Sequence, residues 1–254
     1  MRKKVDYDRT QYPTYDQGRA LSAEVMRSWM ETFTRHAPAR RPLTVADVGS
    51  GTGRFTPSLA QTFGGPVYGV EPFARMREIA ERDATHPAVI YLAGSAERLP
   101  LPDDSCDLVL LFLSFHHVQD RSAAARELAR VLRPGGRVLL RSSFADRLPD
   151  KPWYRYFPRA RAIEQEVFPA YSEVVGLFEE AGLREAGFEQ VREHYTDSLA
   201  EYVERLRHRA SSTFEHLTEA EIEAGFTAIE AAARAATTAE PIATDSDLLV
   251  LAPN

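Results

Sequence analysis

Three glycines alternate over five residues, Gly49, Gly51 and Gly53, directly after the short apolar run Val45-Ala46-Asp47-Val48. β-branched residues running into such a turn read as a buried strand feeding a tight loop, and Phe55 to Phe63 then reads as a helix. Glycine carries no Cβ, so the loop amides can approach a bound molecule directly. The helix that follows aims its partially positive N-terminus at the same place. A chain with this opening is organised as an α/β fold around a ligand at the end of its first strand.

The spacing narrows the ligand. A dinucleotide fingerprint needs glycines at the first, third and sixth positions, whereas the sixth position from Gly49 is Arg54. No Gly-Lys-Ser/Thr follows, which argues against a phosphate-binding P-loop. Asp47 at the strand end would repel a pyrophosphate and suits a ligand carrying an ammonium or sulfonium group.

Further α/β units follow in order. Pro66 to Val70 reads as a second strand ending at Glu71 and Pro72, about 20 residues past the loop, where a carboxylate is placed to accept both ribose hydroxyls of a nucleoside. A helix from Phe73 to Asp83 precedes a third strand, Ala88 to Ala93, and the segment Gly94-Ser95-Ala96-Glu97-Arg98-Leu99-Pro100. Asp107 to Leu113 is almost continuously apolar, as expected of a central parallel strand buried on both faces. It opens into Ser114-Phe115-His116-His117-Val118. Asp120 to Leu132 reads as a helix stopped by Arg133-Pro134-Gly135-Gly136, and Arg137 to Arg141 as a fifth strand.

Together the glycine loop, Glu71, the Ser95 segment and the run Leu128 to Leu140 resemble the class I S-adenosylmethionine-dependent methyltransferases. The His-His-Val turn is similar to that of the ubiquinone and menaquinone-type branch. The resemblance covers Val45 to Leu140. It implies a Rossmann-like seven-stranded sheet of order 3-2-1-4-5-7-6, with the last strand antiparallel and helices on both faces. It also implies that S-adenosyl-L-methionine is held by Asp47, Gly49, Ser50, Gly51, Gly53, Glu71, Pro72, Ser95, Ala96, Glu97 and Phe112. The family commonly has an acid where Ser95 stands, so the contact to the adenine amine is open between the Ser95 hydroxyl and Glu97. By the same resemblance His116 and His117 fall beside the transferred methyl group and are the candidate catalytic residues. Adjacent histidines can diverge, so one is expected to face the pocket as general base and the other to cap the helix that Asp120 starts.

The rest of the chain reads as cap and lid. Residues 1–36 form an N-terminal arm and helix, in which Leu21, Val25, Trp29 and Phe33 share one stripe, and residues 37–254 form the main domain. Tyr12 and Tyr15 either anchor the arm or close as a flap over the ligands. The aromatic insert 143–171 and the helical excursion 197–237 overhang the strand ends as a lid. Asp197 and Thr218 are the expected N-caps, and Gly187 to His194 and Ser246 to Ala252 the last strands. Phe115, Arg141, Trp153 and Tyr154 join the two tyrosines as expected acceptor contacts.

Composition sets the remaining expectations. A net charge of -6, with no dense Lys/Arg run, gives no sign of a nucleic-acid footprint. Cys106 stands alone and reads as a packed residue in a reduced, cytoplasmic setting. The basic Met1-Arg2-Lys3-Lys4 start lacks an apolar stretch after it, and no run is long enough to span a membrane. The expected function is methyl transfer to a small molecule by a monomer or homodimer, without a metal. Rival readings are a protein that binds S-adenosylmethionine without transferring methyl, an RNA or protein methyltransferase, and a nicotinamide-dependent oxidoreductase.

Overall fold

Strand β1 (Leu43–Val48) is paired in parallel along both edges, with β2 (Gly64–Glu71) on one side and β4 (Cys106–Phe112) on the other. The computed structural model describes residues 21–254, in which β3 (Val89–Ala93), β5 (Leu132–Ser142), β6 (Leu183–Thr196) and β7 (Ile242–Pro253) complete a seven-stranded sheet. Its order is β3-β2-β1-β4-β5-β7-β6, and β7 runs antiparallel to both its neighbours. This is the Rossmann-like arrangement expected from the sequence. The outer pair is longer than expected, because β6 and β7 stay paired through two register shifts, from Leu183 opposite Pro253 to Thr196 opposite Ile242.

The period of two along each strand sorts the core into two layers. Val109 and Leu111 of β4 point into a layer with Ala46, Val48, Val138 and Leu140. There they meet Ala124 and Leu128 of helix α4 (Arg121–Val131) and Val174 and Phe178 of α6 (Tyr171–Glu180). Leu108, Leu110 and Phe112 point to the opposite layer. That layer is closed by Trp29 and Phe33 of α1 (Ala23–His36) and by Leu59 and Phe63 of α2 (Thr56–Phe63). All seven residues of β4 are buried, as a strand covered on both faces requires. Helix α3 (Ala74–Asp83) covers β2 and β3.

A third, separate cluster lies beyond the strand ends. Trp153 and Phe157 pack with Phe214 at centroid distances of 5.2 and 5.6 Å, and Phe214 stacks on Phe226. These side chains come from the 3₁₀ turn Pro152–Arg155 and the loop after it, the turn Ser212–His216, and α8 (Glu219–Ala235). The aromatic insert 143–171 holds that first turn and helix α5 (Ala160–Val167). Helix α7 (Leu199–Arg207) is capped by Ser198 and not by Asp197, because the Ser198 hydroxyl accepts the Glu201 amide. Thr218 does cap α8, through a capping box with Glu221.

Phe115 corrects an expected acceptor contact. It begins the 3₁₀ turn Phe115–His117 and is fully buried, stacked on Phe178 with ring centroids 5.5 Å apart. Its ring belongs to the core on the α4 and α6 face. Phe115→Ala is expected to cost about 3–5 kcal/mol of stability by chemical denaturation, the range for deleting a buried aromatic, and an unperturbed midpoint would return it to the acceptor site.

Candidate functional site

The C-terminal ends of β1, β2 and β4 open on a cavity of about 780 Å³, in the size range of nucleoside-like ligands. One wall is formed by Gly49, Gly51, Glu71 and Pro72. Ser95, Ala96, Glu97 and Phe112 line it further round, and His116 and His117 close the far end. The glycine loop takes the shape its composition allows. Gly49 and Gly51 have φ of 73° and 59°, left-handed values that L side chains resist. A Cβ on Gly49 would lie 2.5 Å from the Ser114 Cβ, so the β1 and β4 loops meet only because that atom is missing.

Glu71 is the charged centre of this wall. It is 4% exposed, its Oε2 accepts the Gly51 amide at 2.9 Å, and its Oε1 accepts the Phe73 amide at 2.9 Å. Burial pushes its carboxyl up, partly opposed by those two amides. Each oxygen has further acceptor capacity, so two adjacent hydroxyls could be bound without displacing the loop. Glu97 differs. Burial is the largest single influence on it and acts upward, yet hydrogen bonds, including one from the Gln119 amide at 2.9 Å, bring its carboxyl below the ordinary range.

Three of the expected cofactor residues lie away from this cavity. Asp47 is 3% exposed and turned toward the start of α2, where the Thr56 hydroxyl donates to its Oδ2 at 2.7 Å. Gly53, with φ of 79°, makes room for a neighbour rather than for a ligand, since a Cβ there would sit 2.3 Å from the Tyr91 hydroxyl. The Ser50 hydroxyl has no hydrogen-bond partner among the described residues and is buried, while its amide donates to the Val70 carbonyl at 3.3 Å. Within this segment Val48, Gly49 and Gly51 line the cavity, while Asp47, Ser50 and Gly53 shape it from behind.

Beyond the histidines the cavity adjoins two smaller lobes of about 80 and 160 Å³. His116 lines both the large cavity and the smaller lobe, whereas His117 lines only the large cavity. The two rings lie 3.9 Å apart, and His116 meets Phe168 edge-on at 4.7 Å. Leu113 borders all three spaces. Its φ of 56° is left-handed, a costly conformation for a leucine, and its amide donates to the Arg141 carbonyl at 2.9 Å.

Arg141 lines the lobes and not the large cavity. Its Nη2 donates to Ser246 at 2.6 Å and to Glu193 at 3.3 Å, and Glu193 also accepts the Trp29 indole N–H at 3.0 Å. Trp153 borders the larger lobe from the aromatic cluster. Tyr154 borders none of the three spaces: its hydroxyl donates to Glu164 at 2.7 Å inside the cluster, and its expected acceptor contact is corrected accordingly. Tyr12 and Tyr15 lie outside the described residues. The sequence reading missed Leu113, Lys151, Glu164, Ser212 and Thr244, all of which border the lobes. None of these carries a signal that periodicity could expose, since Glu164 shares its stretch with Glu166 and reads as a solvated helix face. Among the described residues there is no His/Cys/Asp/Glu group arranged to hold a metal, and no helix is long and apolar enough to cross a membrane.

Burial pushes the Asp47 carboxyl up to about 6, against the Thr56 hydroxyl and Arg54, which pull it down. The folded protein therefore holds this proton more tightly than the unfolded chain, and the associated stability is present at low pH and lost as pH rises through about 6. Asp47→Asn is expected to raise stability by roughly 2 kcal/mol at about pH 8 and to have little effect near pH 3.5. Urea denaturation at the two pH values checks this, and an equal effect at both would show that Asp47 ionises normally in the fold.

Comparison with known proteins agrees with this geometry. The family model described as a methyltransferase domain matches residues 46–140. A ubiquinone/menaquinone biosynthesis C-methyltransferase of Syntrophotalea carbinolica is 30% identical over 199 residues, spanning 68% of this chain and 82% of the relative. A demethylmenaquinone methyltransferase of Bacillus licheniformis is 29% identical over 196 residues, spanning 68% and 84%. The crystal structure of a putative methyltransferase from an antibiotic biosynthesis pathway of Anabaena variabilis superposes with a TM-score of 0.72 at 22% identity, covering 89% of this chain and 96% of that one. A glycine loop facing a buried carboxylate, set in this sheet order and matched along most of a relative's length, makes the chain a member of the class I S-adenosylmethionine-dependent methyltransferases, in their ubiquinone and menaquinone-type branch.

Proposed function

We propose that this enzyme methylates a small-molecule acceptor held in the two lobes beyond His116, with the cofactor in the large cavity on the other side. The observation that carries the proposal is that His116 borders both the large cavity and the smaller lobe. A group at that junction can touch an acceptor while the cofactor occupies its own site. The aromatic cluster of Trp153, Phe157, Phe214 and Phe226 roofs the acceptor side as a lid on the domain formed by residues 37–254, and a roof of this kind favours a ligand small enough to be enclosed.

The residues of the large cavity suit S-adenosyl-L-methionine. Glu71 would take the ribose hydroxyls, the bare Gly49 and Gly51 backbone would allow close approach, and Ser95, Ala96 and Glu97 would face the adenine. When bound, the cofactor supplies a sulfonium methyl group already activated for in-line displacement. What remains for the protein is orientation, exclusion of water and, for a hydroxyl or activated carbon acid, removal of a proton. His116 is placed to accept that proton on a ring nitrogen, a role worth about 10²- to 10⁴-fold in rate. His117 faces the large cavity alone and would instead shape the cofactor site.

Relatives with quinone-related names raise a carbon acceptor on an oxygenated ring as the first class to screen. The direct experiment is transfer of labelled methyl from S-adenosylmethionine to a panel of small oxygenated aromatics, with tRNA and a protein lysate alongside. Label entering only the macromolecules would overturn the proposal. Glu71→Ala is expected to weaken S-adenosylhomocysteine binding by about 1.5–3 kcal/mol, or roughly 10- to 150-fold, in a calorimetric titration; unaltered affinity would remove Glu71 from the site. His116→Ala is expected to lower kcat by about 10²-fold or more with a flattened pH profile, and His117→Ala to alter mainly cofactor KM. Equal effects of the two on kcat would end the assignment of the base to His116.

A further inference from the structure

The segment that follows β3 and lines the large cavity is fastened to helix α4 at three places. Along the body of the helix, Glu127 accepts the Leu99 amide at 2.8 Å, and Arg130 donates to the Leu99 and Leu101 carbonyls at 3.3 and 2.9 Å. At the N-terminal end the fastening is Glu97, whose Oε1 accepts the Gln119 amide at 2.9 Å. Of the three, Glu97 alone grips the stretch between the histidine turn and the helix. The Gln119 side-chain amide donates in turn to the His117 carbonyl at 3.2 Å, and the His117 amide donates to the Ser114 carbonyl at 3.0 Å. The grip on Gln119 therefore reaches the turn whose histidines border the large cavity.

The Glu97 carboxylate is fully engaged in this role. It accepts from its own amide, the Ser95 hydroxyl and the amides of Gln119 and Asp120, and four donors match the acceptor capacity of one carboxylate. Glu97 thus lines the cavity without a lone pair to spare for a ligand amine. Burial alone would raise its pKa, but these bonds outweigh burial and bring it below the ordinary range, so it is ionised at neutral pH. A negative charge beside the first amides of a helix is also favoured by the helix dipole. Charge-assisted bonds of this kind are about twice as strong as neutral ones, which makes the link a stiff one.

We infer that Glu97 is a positioning residue, a strut that ties the histidine turn to the segment lining the large cavity, so that filling the cavity sets where His116 stands. A ligand that orders Ser95 and Ala96 orders Glu97 with them. Through the Gln119 and Asp120 amides the strut carries that order to the turn. The inference rests on the reading of the large cavity as the cofactor site and of His116 as the base, and adds the physical connection between them.

Amide hydrogen exchange of the full-length protein, read residue by residue with and without S-adenosylhomocysteine, tests the strut. Binding is expected to slow exchange by about tenfold or more in both 95–97 and 115–120. In Glu97→Ala, 95–97 should slow as before and 115–120 by less than about twofold, with S-adenosylhomocysteine affinity kept within about threefold. Glu127→Gln, which loosens the other end of the same segment, should leave the response of the turn intact. In methyl transfer, Glu97→Ala is expected to lower kcat about tenfold while KM for S-adenosylmethionine holds within about threefold, a split that a general loss of stability would not produce. Should Glu97→Ala fail to fold, Glu97→Gln decides, since it keeps the shape and gives up the charge. Slowing confined to 95–97 in the unaltered protein, or equal slowing of the turn in both proteins, would overturn the strut and leave the cofactor site standing. A loss of S-adenosylhomocysteine affinity of about tenfold in Glu97→Ala would make Glu97 a ligand contact and overturn the strut as well. No slowing in either segment of the unaltered protein would end the cofactor reading and the strut together.

Discussion

The contact between Gly49 and Ser114 is the constraint on which the site depends. The loops after β1 and β4 leave adjacent strands at the point where the sheet order reverses, which is where open α/β sheets bind their ligands. They meet so closely that a Cβ on Gly49 would stand 2.5 Å from the Ser114 side chain. The Ser114 hydroxyl in turn donates to the Val48 carbonyl at 2.8 Å, tying the end of β1 to the β4 loop. With those two loops locked, the Gly51 amide reaches Glu71 and the histidine turn is held at the far side of the same cavity. Orientation is most of what a methyltransferase contributes, and this contact sets it.

Strain accumulates on the acceptor side of that lock. Leu113 adopts a left-handed backbone where β4 ends and borders the large cavity and both lobes. Such a conformation costs of order 1–3 kcal/mol and persists where surrounding structure over-determines it. Here the fully buried β4, the bond from the Leu113 amide to the Arg141 carbonyl, and the packed Phe115 hold it in place. The turn this produces sends Phe115 into the core and His116 to the junction between the spaces.

The two sides of the site are built from different chemistry. The large cavity rests on backbone amides and one buried carboxylate, Glu71, supported by the two-layer core around the sheet. The two lobes are lined by paired charges, Arg141 with Glu193 and Lys151 with Glu164, beside an aromatic cluster separate from that core. Removing one partner of the buried Arg141–Glu193 pair leaves an uncompensated charge, which is strongly destabilising. Neutral lining positions such as Thr244 and Phe168 can therefore be changed without breaking an ion pair.

The sequence by itself determined the sheet and most of the wall of the large cavity. Alternate glycines, an acid about 20 residues on and an unbroken apolar run are local patterns, because the backbone conformation and strand burial they report are set by neighbouring residues. Even there, the chain pattern could not separate Gly51, which faces the cavity, from Gly53, which faces Tyr91, or show that Asp47 turns toward Thr56. Only the tertiary structure decided the two lobes. Leu113, Arg141, Glu164 and Thr244 are separated by up to 131 positions in the chain and are brought to one space by the β5–β7 pairing and the folded insert. No periodicity encodes that meeting, since it arises from where long connections return to the sheet, and the same physics that buries Phe115 and Tyr154 in cores is what leaves Arg141 and Thr244 facing the cavity.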